Sequence, residues 1–418
     1  MLQEACHAET AALSRSDGEF PECGDAGTQG KSQQYERRYT LAPSGRRRSA
    51  EASVAPALLE TDRMRIAQIS PLFESVPPAA YGGTERVVSY LTEELVAQGH
   101  DVTLFATGDS RTAATLVPVV ERSLRLDTES VDALAHHILL IERVRQQAHD
   151  FDVLHFHIDY LHYPVSRLLG TPQLTTLHGR LDLKDLKPLY DEFVDMPVVS
   201  ISQSQREPLP QAYWIGNVYH GLPETLFTPA EDPDGDYLVF VGRISPEKRV
   251  DRAIEIARLA GLPIRIAAKI ADADRPYFDR DIAPLLELPF VDYVGEINDK
   301  QKGPLLAGAR ALLFPIDWQE PFGLVMIEAM ACGTPTIAWG AGSVGEVLTD
   351  SVTGFIVNTI DDAVAATVRA GSISRPRIRR EFERRFTAPR MAQDYLEIYS
   401  AMLGRSADRA LAGHSPNG

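Results

Sequence analysis

From residue 64 onward the chain alternates short apolar runs with amphipathic stretches. Residues 65–70 (Arg65-Ile66-Ala67-Gln68-Ile69-Ser70) read as a strand that opens directly after Met64. Residues 84–98 put Val87, Val88, Leu91 and Leu95 on one face at helical spacing, and Gly99 stops the helix. Further strands are expected at 102–107, 153–157, 174–177 and 198–201. A second series begins at 237–241 and continues through 264–268, 291–294, 311–314 and 336–339. Strands that alternate with helices predict parallel sheets covered on both faces. The turn-rich stretch 221–236, with Pro223, Pro229, Pro233, Asp234 and Gly235, splits the two series into two doubly wound α/β domains. In such sheets ligands sit at the carboxyl ends of the strands, so the cleft between the domains is the expected site.

Residues 1–63 break this pattern. They are rich in Ser, Ala, Gly, Glu and Arg, carry Gly45-Arg46-Arg47-Arg48, and show no sustained periodicity, so they read as a disordered extension. Met64 fits a natural start with the preceding segment a mis-assigned extension; a disordered regulatory or targeting tail is the alternative. Peptides from that segment in mass spectra of the native protein decide between them.

The net charge of −16 makes nonspecific nucleic-acid binding a poor fit, while leaving room for a local basic site. Cys6, Cys23 and Cys332 show no zinc spacing and no disulfide framework, which points to a reducing compartment. No apolar run reaches membrane-spanning length and no secretory signal is apparent, so a cytoplasmic protein is the expectation.

The chemistry gathers around Asp317-Trp318-Gln319-Glu320-Pro321-Phe322-Gly323-Leu324-Val325-Met326-Ile327-Glu328. Seven residues separate Glu320 from Glu328. Glu320 precedes Pro321 and Gly323 and belongs on a loop. Glu328 falls early in the apolar run 324–331, a buried helix that Gly333 and Pro335 terminate. Both acids then reach a ligand lying over the helix N-terminus, whose backbone N–H groups and partial positive charge suit a phosphate. Gly242-Arg243-Ile244-Ser245-Pro246-Glu247-Lys248-Arg249 follows the strand at 237–241. Arg243 can fork onto phosphate oxygens and Lys248 can add a point charge; alone, the same cations also fit a solvated helix start.

Three motifs belong to the first series. Tyr81-Gly82-Gly83-Thr84-Glu85-Arg86 joins the first strand to the first helix. Its glycines allow a backbone to approach a ligand, or form a turn capped by Thr84. The spacing is not that of the dinucleotide fingerprint, which disfavours a nicotinamide oxidoreductase. Leu177-His178-Gly179 ends a strand, where His178 either points into the cleft or is a hydrogen-bonded structural residue. His155 and His157 share a strand face; a metal lacks a third ligand, and contact with an acceptor at the strand end is the better reading for His157. Asp272-Ala273-Asp274 resembles a metal-binding pair of a different fold and reads as a surface coincidence.

With these residues in hand, the chain resembles the retaining nucleotide-sugar glycosyltransferases of family 4, which have the GT-B fold. The resemblance runs from about residue 64 to 399. It rests on Glu320-Pro321-Phe322-Gly323-Leu324 with Glu328-Ala329 and Gly333-Thr334-Pro335, then on Phe240-Val241-Gly242-Arg243-Ile244 with Glu247-Lys248. Gly82-Gly83, His178-Gly179, Tyr219-His220-Gly221 and Gly345-Glu346 occur in the expected order. The resemblance implies two Rossmann-like domains facing a central cleft, an acceptor-side domain at 64–221 and a donor domain at 222–386. A helix at 387–404 would cross back onto the first domain, and 405–418 would be a disordered tail.

The implied roles follow. Arg243 and Lys248 would neutralise the donor diphosphate, Glu328 would hold the ribose hydroxyls, and Glu320 and His178 would contact the transferred sugar. The backbone around Gly323, Leu324 and Val325 would face the donor, Gly82-Gly83 would pack on the phosphates, and Tyr219-His220-Gly221 would form the hinge. Fixed cations and a helix N-terminus stabilise a departing diphosphate without a metal or cofactor. UDP and glucose are the family's prior for the donor. A carbohydrate, lipid or small-molecule acceptor stays open, and lipid acceptors among relatives leave room for a peripheral membrane contact. The alternatives are an epimerase or sugar-phosphate synthase on the same fold, and a non-catalytic binder of nucleotide sugars. In one departure, Arg249 stands where many relatives have Gly after the lysine, which makes the loop less open or adds a phosphate contact.

Overall fold

The computed structural model describes residues 63–404, apart from 80, 81, 129, 232 and 234; the two predicted tails lie outside the described residues, as do Cys6 and Cys23. The first sheet holds seven strands: β1 (Arg65–Ile69), β2 (Asp101–Thr107), β3 (Thr115–Val120), β4 (Val153–Phe156), β5 (Gln173–Thr176), β6 (Pro197–Ser200) and β7 (Tyr213–Asn217). Their order is β3-β2-β1-β4-β5-β6-β7, every neighbour parallel. The second sheet holds β8 (Leu238–Arg243), β9 (Ile264–Lys269), β10 (Val291–Gly295), β11 (Ala311–Phe314), β12 (Thr336–Trp339) and β13 (Gly354–Val357), in the order β10-β9-β8-β11-β12-β13, again parallel throughout.

Both sheets are doubly wound, and both reverse their winding beside the first strand of the series: between β1 and β4, and between β8 and β11. Such reversals open a crevice at the carboxyl ends of the strands. Strands β4, β5 and β11 are buried along their whole length, as in parallel sheets covered on both faces, although three of the four residues of β5 are polar. Four helices matter for the site: α1 (Gly83–Ala97), α2 (Asp299–Gly308), α3 (Leu324–Ala331) and α4 (Ala388–Met402).

The chain crosses between the sheets twice, and the crossings are bonded to each other. Leu222 donates its N–H to the Phe386 carbonyl at 2.9 Å, and Ala388 donates to the Leu222 carbonyl at 2.8 Å. Gly221 permits this approach, because a Cβ there would run into the Thr387 carbonyl. After the second crossing, α4 returns to the first sheet, packs against α1, and buries Tyr395 and Tyr399. One apolar cluster therefore runs from Ile66 and Leu91 through Tyr395 to Phe322 and Met326. Cys332 is buried in it, which pushes its thiol up to about 12. Among the described residues no helix is long and apolar enough to cross a membrane.

Candidate functional site

The basic turn forms where β8 ends. Arg243 is its last residue, and the short 3-10 turn Pro246–Lys248 follows. The Arg243 guanidinium donates to Glu247 at 2.6 Å and lies 3.3 Å from the Asp274 carboxylate. Asp274 of the Asp-Ala-Asp motif thus borders the basic turn. Lys248 pairs with Glu320, and the Trp318 indole N–H donates to the same carboxylate at 3.1 Å. The ammonium also lies 4.9 Å from the Trp318 ring centroid, a cation–π distance. Two segments 72 residues apart are joined here by a pair with little exposure on either side chain. An ammonium held this way is oriented before any ligand arrives.

Arg249 explains the family's glycine. Its backbone is left-handed, φ 53° and ψ 52°, a conformation that costs a residue with a Cβ about 1–2 kcal/mol. Its guanidinium is engaged by Asp251 at 2.9 Å and by Asp317 at 2.9 Å. Those two carboxylates, rather than an open phosphate site, take its charge.

Helix α3 starts from Gly323, whose φ of 76° and tight contacts with Met326 and Phe314 exclude a side chain. Leu324 and Val325 head the helix and are half-buried. Glu328 lies one turn further along the same face, buried, and accepts from the Lys302 ammonium at 2.7 Å. Lys302 lies 3.3 Å from Asp299 on its own helix α2, and Asp299 in turn pairs with Arg86 of α1. An ion-pair chain therefore runs from the buried acid of the second sheet to the first helix of the first sheet.

The opposite wall comes from the first sheet. Gly83 lies so near α3 that a Cβ on it would stand 3.7 Å from the Leu324 side chain. Helix α1 begins at Gly83 with Gly82 as its cap residue, and Thr84 does not cap it. Arg180, two residues beyond His178, lies 5.9 Å from the Trp318 ring centroid. His178 is half-buried, and its ring stacks on His220 at 5.3 Å. His157 is buried behind it, with Nδ1 2.9 Å from His178 Nε2 and Nε2 2.8 Å from Gln68 Oε1. Both its nitrogens are engaged by protein, so His157 supports His178 instead of meeting an acceptor directly. Burial holds His155, His157 and His220 well below the ordinary imidazole range and pushes His178 down to about 3.

The Tyr219-His220-Gly221 segment is tied down from both sides. Arg390 of α4 donates to the His220 carbonyl at 3.1 Å. Glu346, from the loop helix after β12, accepts from the Gln203 and Ser204 amides at 2.7 Å each and from the Tyr219 hydroxyl at 3.0 Å. This places Gly345-Glu346 at the junction of the two sheets.

The structure brings Gly83 beside Leu324, Arg180 beside Trp318 and Lys248 onto Glu320, whereas His155 and His157 are buried within the first sheet. Gln68, Arg86, Asp299, Lys302 and Trp318 were not singled out, and each takes part in the geometry. A buried glutamine inside an apolar strand is a readable signal. The acid and base three apart on α2 look like an ordinary solvated helix face.

Comparisons with known proteins agree with this arrangement. The model described as Glycosyltransferase Family 4 matches residues 81–214, and the one described as Glycosyl transferases group 1 matches residues 223–380. The D-inositol 3-phosphate glycosyltransferase of Arthrobacter sp. (strain FB24) is 27% identical over 405 residues, covering 80% of this chain and 94% of that protein. Among solved structures, AviGT4, a glycosyltransferase involved in avilamycin A biosynthesis, superposes with a TM-score of 0.65 at 23% identity, covering 82% of this chain and 99% of that one. Anabaena HepE in complex with UDP and glucose superposes with a TM-score of 0.65 at 18% identity, covering 81% and 100%. At these identities the two structures speak to the fold alone. Two family models end to end, on a pair of doubly wound sheets joined by a returning helix, place the chain in glycosyltransferase family 4, with the GT-B fold.

Proposed function

We propose that this glycosyltransferase moves a hexosyl group from a nucleoside-diphosphate sugar, UDP-glucose or a close relative, to an acceptor hydroxyl, retaining the anomeric configuration and using no metal ion. The observation that carries the reading is the Lys248–Glu320 pair beside Arg243, set at the strand ends next to the head of α3. Breaking the bond between C1 and the phosphate oxygen leaves positive charge on the sugar and an extra negative charge on the diphosphate. Lys248, Arg243 and the α3 amides meet that negative charge as it grows. Glu328 accepts hydrogen bonds from the ribose hydroxyls, Glu320 and His178 bind the sugar, and Gly82-Gly83 lets the first sheet close on the phosphates. The acceptor hydroxyl attacks from the face the diphosphate leaves, and its proton passes to a phosphate oxygen. No side-chain nucleophile is required.

HepE's complex with UDP and glucose supports UDP as the first nucleotide to try. The Arthrobacter relative supports phosphorylated polyols as the first acceptors. The test is proton NMR of full-length enzyme with UDP-glucose and an acceptor panel, in EDTA. Transfer with the donor's anomeric configuration kept is the expected result. Inversion, or transfer that stops when EDTA is added, refutes the mechanism. A changed sugar in the donor without any acceptor identifies an epimerase instead.

A further inference from the structure

Behind His178 lies a closed relay of buried polar groups that connects the cleft to α4. Gln68 on β1 is fully buried. Its Oε1 lies 2.8 Å from His157 Nε2, and its Nε2 lies 3.3 Å from the Tyr399 hydroxyl. A carbonyl oxygen only accepts, so His157 carries its proton on Nε2. Burial keeps that ring neutral, which leaves a lone pair on Nδ1. His178 Nε2, at 2.9 Å, must then be the donor. His178 is neutral too, so its Nδ1 is a bare acceptor, and it makes no hydrogen bond to the described residues. On the other side, Tyr399 accepts from Gln68 and donates to His155 Nδ1 at 2.7 Å. His155 Nε2 then donates to Thr176 at 2.7 Å, and the Thr176 and Tyr395 hydroxyls share a further hydrogen bond at 2.8 Å. Gln68 Nε2 also lies 3.4 Å from His155 Nδ1, which it can reach only as a donor, in keeping with the acceptor role given to that nitrogen.

We propose that Gln68 is a positioning residue that, held by Tyr399 of the returning helix, sets the tautomer of His178 so that Nδ1 accepts a hydroxyl of the transferred sugar. The proposal rests on the reading of His178 as a sugar contact. It makes the second crossing of the chain part of the site: α4 closes the fold and also fixes the direction of the relay. A site with a bare acceptor nitrogen favours a donor sugar that carries a hydroxyl at that point over its deoxy analogue.

The test is long-range nitrogen–proton NMR of the full-length protein with 15N-labelled histidine, His178 being assigned by its loss in His178→Gln. The expected wild-type spectrum shows His178 protonated on Nε2 and bare on Nδ1. Gln68→Leu, and independently Tyr399→Phe, should give a mixed or reversed tautomer. Each should also lower kcat/KM for the nucleotide sugar about tenfold, the value of one hydrogen bond, with the affinity for the nucleoside diphosphate unchanged. Protonation of His178 on Nδ1 in the wild type, or an unchanged tautomer in both variants, overturns the relay whatever the kinetics. An Nε2 tautomer combined with full activity in His178→Ala overturns the sugar contact and leaves the relay standing as a structural network.

Discussion

Lys248 and Glu320 stand 72 residues apart in sequence and share one ion pair at the strand ends of the second sheet, with the Trp318 indole donating to the same carboxylate. The pair holds a cation in place with its negative partner alongside. Such a pair can turn from its carboxylate to a diphosphate without being assembled first. In Lys248→Ala, Glu320 keeps its Trp318 donor, so the stability loss should stay near 1–2 kcal/mol. Turnover should fall by about 100-fold or more, because the departing charge loses its cation. Steady-state kinetics beside urea unfolding checks both; unchanged turnover rejects the role.

Glu328→Gln tests the other acid. The carboxylate accepts charge-assisted hydrogen bonds, and the amide offers weaker ones. Affinity for the nucleoside diphosphate should drop about tenfold or more by calorimetry. Lys302 keeps Asp299 as a partner, so the fold should hold. Equal affinity counts against ribose recognition by Glu328.

Arg249 gives a prediction in which the usual helix preference reverses. Its left-handed backbone penalises any Cβ, and its ion pairs with Asp251 and Asp317 are partly exposed and worth little more than about 1 kcal/mol together. Arg249→Ala keeps the strain and loses the pairs, and should cost about 1 kcal/mol. Arg249→Gly loses the same pairs but relieves the strain, and should lie within about 0.5 kcal/mol of wild type. Urea midpoints that rank Ala above Gly contradict this.

The buried histidines predict a pH dependence of stability. His155, His157, His178 and His220 have folded values below the ordinary 6.5, His178 at about 3. The unfolded chain therefore binds protons there that the folded chain does not. Stability is fully present above about pH 6.5 and is lost as pH falls towards the folded values, by up to about 1.4 kcal/mol per pH unit for each histidine. Glu85 opposes this: burial raises its carboxyl to about 7, so its contribution is lost as pH rises from about 4.5 to 7. Burial raises Glu74 and Asp159 as well, but it also lowers His100, His137 and His162; seven imidazoles against three carboxyls mean that urea midpoints should fall from pH 7.5 to 5.5. A flat or rising trend contradicts the neutral histidine tier.

Strands such as β8 and β11 were legible because they are covered on both faces and read as apolar runs. Strands β3, β7 and β13 were not predicted, and all three lie at sheet edges. β3 carries Pro118, which an edge tolerates and a central strand does not, and it is nowhere fully buried. β7 is only half-buried, and β13 is four residues long. The motif around Gly323 was legible because its glycine, proline and acids each answer to a local requirement, such as the positive φ at Gly323. The partners of those acids were not, because Lys302 reaches Glu328 from another helix, and Asp299 beside Lys302 is met by Arg86 from the first helix of the other sheet. His157 shows the same limit: its strand position was readable, but its place behind His178 depends on Gln68 of β1, three strands earlier in sequence and next to β4 in the sheet.

The proposed donor site holds a nucleoside diphosphate through fixed cations and a helix N-terminus, so its binding should stabilise the fold without a metal. Thermal unfolding of the full-length protein with UDP, GDP, ADP and TDP, with and without EDTA, tests it most directly. One nucleotide should stabilise the protein in EDTA, by about 2.7 kcal/mol at one hundred times its dissociation constant, and Arg243→Ala combined with Lys248→Ala should remove most of this gain. No stabilisation by any of the four, or a gain that survives unchanged in the double variant, contradicts it.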